Sequence, residues 1–312
     1  MRFPKVRGSG ILPMRPIAWL VGGMLVAVVV IAPTAVNAQV TRSQASWSVS
    51  DCESCHDKAL SPAFSKSAHA KQDQSCANCH NGVAEHAKAM VDGKDGPKPS
   101  IKDVKAADLN ATCLSCHEKA TQESFMSSMH ARRNVACSSC HSVHAPKSAT
   151  GQLKTKKDTE LCYSCHKAER AKMNRTSHHP VREGKMACSS CHNPHEGNRP
   201  KMIKAETVSE LCYQCHTEKR GPFLWEHAPV RENCLNCHNP HGSNHDKMLV
   251  ARLPWLCQRC HLNTRHPGTF YDGRVGGGSL ALSTNRAVEH ACKNCHQNIH
   301  GGNAPSGPYF GR

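Results

Sequence analysis

The chain has 312 residues, of which 20 are cysteine and 23 are histidine, and only 4% are aromatic. That aromatic content is thin for the core of a domain of this length, so something other than side chains is expected to fill the interior. The formal charge of +16 raises a nucleic-acid or anionic-membrane partner, a reading that depends on what else the chain carries.

At the N-terminus, Arg2, Lys5, Arg7 and Arg15 lead into an uncharged apolar run from Pro16 to Ala32, and Val36-Asn37-Ala38 fits the small-residue rule of signal-peptidase cleavage. Residues 1–38 are expected to be a signal peptide, leaving 39–312 as the mature chain. The apolar run is at the short limit for a membrane span, and the cleavage site argues against an uncleaved anchor. No Arg pair of the twin-arginine kind is present, which favours the general secretory route. The remainder has neither a second apolar run nor the alternating segments of a membrane barrel, so it is not expected to cross a bilayer by itself.

Ten C-x-x-C-H motifs then follow. In chain order they are Cys52, Cys55 and His56; Cys76, Cys79 and His80; Cys113, Cys116 and His117; Cys137, Cys140 and His141; Cys162, Cys165 and His166; Cys188, Cys191 and His192; Cys212, Cys215 and His216; Cys234, Cys237 and His238; Cys257, Cys260 and His261; and Cys292, Cys295 and His296. They use every cysteine. A disulfide scaffold, a thioredoxin-like redox pair or a zinc site would also use C-x-x-C. None of these explains why all ten fifth positions are histidine when histidine fills 23 of 312 places. The motif is the attachment signature of c-type haem: the thiols add across the vinyl groups and the histidine becomes the proximal iron ligand. Ten covalently bound c-type haems are expected.

The motifs fall into five di-haem units, 52–86, 113–144, 162–195, 212–241 and 257–300. Each carries an internal and a trailing histidine, the supply needed for the opposite iron faces. His69, His130 and His227 lie seven residues before the second motif of their units, and His178 lies ten before its own. The stretch His178-His179-Pro180-Val181-Arg182-Glu183 aligns with His227-Ala228-Pro229-Val230-Arg231-Glu232, which selects His178 and leaves His179 spare. His144, His195 and His241 trail the second proximal histidine by three residues, His300 by four and His86 by six. In the last unit His266 is preferred to His290, because His290 is only two residues from Cys292. His245 is a further spare. Met129 and Met186 are near ligand positions, but each has a better-placed histidine beside it. A histidine three residues past the proximal one cannot reach the far face of the same porphyrin, so it must serve another iron, and haem loading should be coupled to folding.

Asp92 to Ser100 reads as a polar Gly/Pro linker, Thr269 to Ala287 as a Gly-rich insertion, and the tail Gly301 to Arg312 as irregular. Short helices are expected around Glu118 to Ser128 and Lys167 to Met173, with no strand pattern. The fold class expected is a multihaem cytochrome c, mostly irregular with short α-helices and negligible β, in which the haems are the core.

Removing the four basic residues of the signal leaves +12. Ten haems would bring about −10 when oxidised and about −20 when reduced, so the holoprotein would run from about +2 to about −8. Nucleic acid is therefore not an expected partner. Bis-histidine iron has no open position, so the expected task is electron transfer at low potential, and no variant motif such as C-x-x-C-K marks an open haem.

Five doubled C-x-x-C-H units behind a secretory signal, with Cys-His-Asn-Pro-His ends and a final Cys292-Lys293-Asn294-Cys295-His296-Gln297-Asn298-Ile299-His300-Gly301, resemble the periplasmic decahaem cytochromes of the MtrA/MtoA/PioA/DmsE type. The resemblance implies an elongated haem chain in the periplasm, inserted into an outer-membrane β-barrel porin. Such a chain exchanges electrons between periplasmic or inner-membrane cytochromes and an extracellular multihaem cytochrome, mineral or metal, in metal reduction or Fe(II) oxidation. It also implies that the N-terminal units face the periplasm and that the haem at Cys292, Cys295 and His296 lies at the extracellular end. The competing readings are a soluble periplasmic electron shuttle and a multihaem oxidoreductase enzyme.

Overall fold

The computed structural model describes residues 49–56, 62–71, 76–119, 122–261, 292–305 and 307–310. The expected signal peptide, the Gly-rich insertion, His266 and His290 lie outside the described residues. Among the described residues there are short helical segments and no strand; extended pairing is confined to isolated bridges. The mostly irregular, short-helix reading of the multihaem cytochrome fold therefore holds.

The helices follow the motif repeat. The first motif of units two, three and four closes an α-helix: Ala106–Leu114, Asp158–Cys165 and Val208–Tyr213. The second motif opens a single turn that starts at its first cysteine, as in Cys137–Cys140, Cys188–Ser190, Cys234–Asn236 and Cys292–Asn294. Local chemistry sets the helix starts: Thr207 Oγ1 accepts the Glu210 N–H at 3.1 Å, and Asp158 and Glu160 place negative charge in the first turn of their helix.

Polar residues just ahead of the first motif clamp the second one to it. Asn110, 2% exposed, donates Nδ2 to the Val135 carbonyl at 3.2 Å and accepts the Cys137 N–H at 2.8 Å. Asp158 accepts the N–H and the hydroxyl of Ser189 at 3.0 and 2.6 Å. Such charge-assisted or buried bonds define one geometry, because leaving either partner unpaired costs about 1–3 kcal/mol.

One of the two expected helices forms. Lys167–Met173 is α-helical. In the stretch 118–128 the described residues hold only the 3-10 turn Phe125–Ser127. Serines redirect that backbone: Ser127 Oγ donates to the Ser124 carbonyl at 2.7 Å, and Ser128 Oγ accepts the Ala131 N–H at 3.2 Å, starting the separate turn Met129–Arg132.

Among the described residues buried apolar side chains are few, and several phenylalanine rings lie against histidines. Phe64 stacks on His144 with centroids 5.5 Å apart, Phe125 meets His195 edge-on at 6.1 Å, and Phe310 lies 5.3 Å from His227. The tail is irregular, as expected, but it is pinned: Trp225 Nε1 donates to the Ala304 carbonyl at 2.8 Å, and Trp225 bridges Gly302.

Candidate haem-binding site

In all ten motifs the histidine N–H donates to the carbonyl of the first cysteine at 2.9 to 3.0 Å. Each motif is thus one helical turn, which brings positions one, four and five to the same side. This presents two thiols and one imidazole to a common ligand. The first cysteines of each unit are neighbours. Burial and the Cys76 thiol push Cys52 up to about 11, burial and Cys234 push Cys212 up to about 12, and burial and Cys292 push Cys257 up to about 11. In the pairs Cys113 with Cys137 and Cys162 with Cys188, a thiol–thiol hydrogen bond is the leading cause of the rise at the first member. Between units the second cysteines come together: Cys140 feels Cys165, Cys191 feels Cys215, and Cys237 feels Cys260. Attachment points therefore alternate along the chain, within a unit and then across to the next.

Among the described residues, nine motif histidines face another imidazole. The internal histidine of each unit faces the first proximal histidine of the following unit. These pairs are His69 with His117 at 5.9 Å, His130 with His166 at 6.1 Å, His179 with His216 at 6.4 Å, and His227 with His261 at 6.2 Å between ring centroids. The trailing histidine faces the second proximal histidine of the preceding unit: His144 with His80 at 5.9 Å, His195 with His141 at 5.9 Å, His241 with His192 at 6.0 Å, and His300 with His238 at 6.2 Å. At the N-terminal end, where no unit precedes, His86 faces His56 of its own unit at 6.1 Å.

The spacing can be tested against an iron. A metal–imidazole bond is about 2 Å, and a ring centroid lies about 1 Å behind its nitrogen, so two axial rings should have centroids about 6 Å apart. The nine pairs meet that distance. Among the described residues no group of three or more His, Cys, Asp or Glu converges as a zinc site would require. Paired imidazoles beside paired thiols fit a porphyrin that supplies the other four ligands.

Backbone carbonyls set the ring orientations. Nδ1 of His80, His192, His238 and His296 lies 2.8, 2.9, 2.7 and 2.6 Å from the carbonyls of Pro99, Lys201, Lys247 and Tyr309, and His141 takes the Gly151 carbonyl at 2.5 Å. With Nδ1 donating, Nε2 carries the free lone pair and is the nitrogen able to bind a metal. The clasping loops double back through left-handed pairs, Lys201-Met202 at φ 55 and 55 and Lys247-Met248 at φ 57 and 56. Three internal histidines are held in the same way: His130 by Pro194 at 3.1 Å, His179 by Pro240 at 2.8 Å and His227 by Ile299 at 3.1 Å.

At one site residue the alignment and the structure point to different rings. The alignment selects His178, but it is His179 that faces His216. His178 is engaged otherwise, with Nδ1 at 2.6 Å from the Arg175 carbonyl and Nε2 at 3.1 Å from Glu183 Oε1. The reason is local. Ser177 bridges Ser243 in an extended pairing, and successive residues of an extended chain point to opposite sides. Position in the Pro-Val-Arg-Glu alignment did not carry that information. Sequence reasoning also missed the clasping carbonyls, although Lys-Met-Ile and Lys-Met-Leu recur at the same distance after His192 and His238. It treated Asp92 to Ser100 as a linker, whereas Pro99 belongs to the His80 site.

Comparison with known proteins gives a consistent picture. Residues 178–221 and 227–266 match the doubled CXXCH motif family, and residues 76–165 match the NrfB-like cytochrome c-type family. The chain is 41% identical over 242 residues to the multiheme cytochrome MtrA of Shewanella baltica, an alignment covering 76% of this chain and 70% of that protein. It is 29% identical over 102 residues to the cytochrome c-type protein NrfB of Escherichia coli, covering 32% of this chain and 52% of that one. It is also 26% identical over 103 residues to NrfB of Haemophilus influenzae, covering 29% and 43%.

Proposed function

Because this chain belongs to the MtrA-type multihaem c-type cytochromes, we propose that it moves electrons along ten bis-histidine haems between the periplasm and an extracellular donor or acceptor, sheathed by an outer-membrane β-barrel porin. The observation that carries the reading is the set of opposed imidazoles at 5.9 to 6.4 Å over C-x-x-C-H turns. When bound, each haem supplies a one-electron ferric/ferrous couple. The protein's own part would be to hold an imidazole on each side of a haem, which would leave no place for a substrate. It also holds rings such as His80, His141, His192 and His238 through Nδ1, so that ligation there would change little with redox state.

The pairing rule adds continuity. The internal histidine of one unit reaches forward and the trailing histidine reaches back, so neighbouring sites share segments of chain and stay in a fixed order. His69, His86, His130, His144, His179, His195, His227, His241 and His300 are the distal ligands on this reading. Among the described residues no helix is long and apolar enough to cross a membrane, so a hydrophilic wire spanning the ~30 Å hydrocarbon core needs a barrel around it. The partners are that porin, an extracellular multihaem cytochrome or mineral on one side, and periplasmic or inner-membrane cytochromes on the other.

Liposomes test the proposal. The cytochrome with its porin should let an external oxidant drain an internal reduced dye, while either component alone should not. If no current crosses with both present and the cytochrome stays monomeric, the periplasmic shuttle is the correct reading.

A further inference from the structure

The axial histidines that have an Nδ1 partner mostly use a neutral backbone carbonyl. His241 uses a carboxylate: its Nδ1 lies 2.7 Å from Glu169 Oε2. That oxygen is buried and has no hydrogen-bond partner, so its contact with the ring is one of charge at close range, while Oε1 takes the Lys172 ammonium at 2.8 Å. The other carboxylate near an axial histidine, Glu218, is 3.9 Å from His216 Nδ1, beyond hydrogen-bond length, and 59% exposed.

The contact is built into the fold. Glu169 sits on the helix Lys167–Met173, which begins at the proximal His166. The end of this helix is fastened to the turn that carries His241. Ser177 and Ser243 exchange both backbone bonds at 3.0 and 2.8 Å, and Arg175 Nη1 donates to the Gly242 carbonyl at 3.4 Å. Gly242 has φ 130, and a Cβ there would strike the Lys172 carbonyl. A glycine beside the ligand therefore lets the helix approach closely enough for Glu169 to reach the ring.

We propose that Glu169 is a positioning residue that tunes the haem attached at Cys188 and Cys191 and ligated by His192 and His241, holding its potential below that of its neighbours. The inference rests on the bis-histidine reading above. A buried anionic carboxylate 2.7 Å from the ring favours positive charge at the site the ring serves, and so would favour the ferric state. The following unit offers a contrast at the same offset. Three residues after the proximal His216 stands Lys219, a cation. A low step at this site would make electron flow through the middle of the wire uneven.

The test is a potentiometric titration of the holoprotein followed by electron paramagnetic resonance, on wild type, Glu169→Gln, Lys172→Met and the exposed control Glu206→Gln. In Glu169→Gln one low-spin signal, worth one electron, should move to higher potential with the low-spin count unchanged. In Lys172→Met the same signal should move lower, because the carboxylate loses its neutralising partner. Glu206→Gln should superimpose on wild type. A Glu169→Gln curve that coincides with wild type overturns the proposal; should that variant load haem poorly, an unmoved Lys172→Met signal does so in its place. His241→Ala separates the two levels. If it opens one site to carbon monoxide while Glu169→Gln shifts nothing, the tuning alone has failed; if it opens none, the ligation reading fails and the tuning with it.

Discussion

His130 Nδ1 lies 3.1 Å from the carbonyl oxygen of Pro194, the residue immediately before His195. His130 faces His166 and His195 faces His141, so one short stretch orients the outer ligands of two different sites. The relation recurs with His179 and Pro240 before His241, and with His227 and Ile299 before His300. Each unit therefore completes sites that belong to its neighbours, and no unit is self-sufficient. Removing the stretch from Cys257 onward should strip the imidazole opposite His238 and leave His227 without the proximal His261 that it faces. The expected result is a truncated chain that loses low-spin character at the His238 site yet still loads haem in units one to three. Haem counting by pyridine haemochrome and the high-spin fraction check it.

Substitution at the neighbouring histidines of unit three separates geometry from alignment. His179→Ala should open one site to carbon monoxide, about one tenth of the haem. His178→Ala should open none, because His178 spends both nitrogens on Arg175 and Glu183. Equal effects from the two would refute the assignment.

Much of the site was legible in the sequence because haem attachment is a local property. Two thiols and an imidazole within five residues must lie on one turn, and in all ten motifs the histidine N–H does bond back to the first cysteine. Distal histidines are non-local. Spacing showed that a trailing histidine such as His195 could not serve its own porphyrin, but not that it faces His141. The choice between His178 and His179 turned on an extended pairing with Ser243, 66 residues from Ser177. Carbonyl clasps such as Lys201 and Pro99 left almost no trace, since a backbone oxygen has no residue type.

Acid should loosen the outer ligands before the rest of the fold. Burial holds His69, His195, His227, His241 and His300 below the ordinary imidazole range. The unfolded chain protonates these rings near pH ~6.5, while the folded chain keeps them neutral. The unfolded state then binds more protons, so their contribution is full above that value and is lost as pH falls. The midpoint of urea unfolding should therefore be lower at about pH 5 than at about pH 8, with high-spin haem appearing first. A midpoint that rises on acidification contradicts this.

Two glycines with positive φ should respond differently to alanine. Gly82, at φ 80 ahead of the helix Val83–Val91, has open space where a Cβ would go, so Gly82→Ala should cost about 1 kcal/mol of backbone strain. Gly242→Ala adds a collision with the Lys172 backbone and should cost roughly 3 kcal/mol or more, with the site of His192 and His241 disturbed first. Denaturant unfolding of the holoproteins compares them.

The two ends of the ladder predict the last ligand. Internal histidines reach forward and trailing histidines reach back, so each end has one histidine without a neighbouring unit to serve. At the N-terminal end that histidine is the trailing His86, which turns to His56 of its own unit. By the same logic the internal histidine of unit five, which has no C-x-x-C-H motif after His296 within residues 297–312 to reach for, should turn to the second site of its own unit, opposite His296. The sequence offers His266 and His290 for this role, and His266 stands clear of Cys292, whereas His290 is two residues from it. A ring two residues before the first thiol is tied to the turn that presents His296 and would have to cross to the far face of the porphyrin. His266→Ala should therefore open one site at the C-terminal end to carbon monoxide, and His290→Ala should leave every haem low-spin. The reverse outcome would assign the ligand to His290 and show that the chain loops back closer to the motif than the other units do.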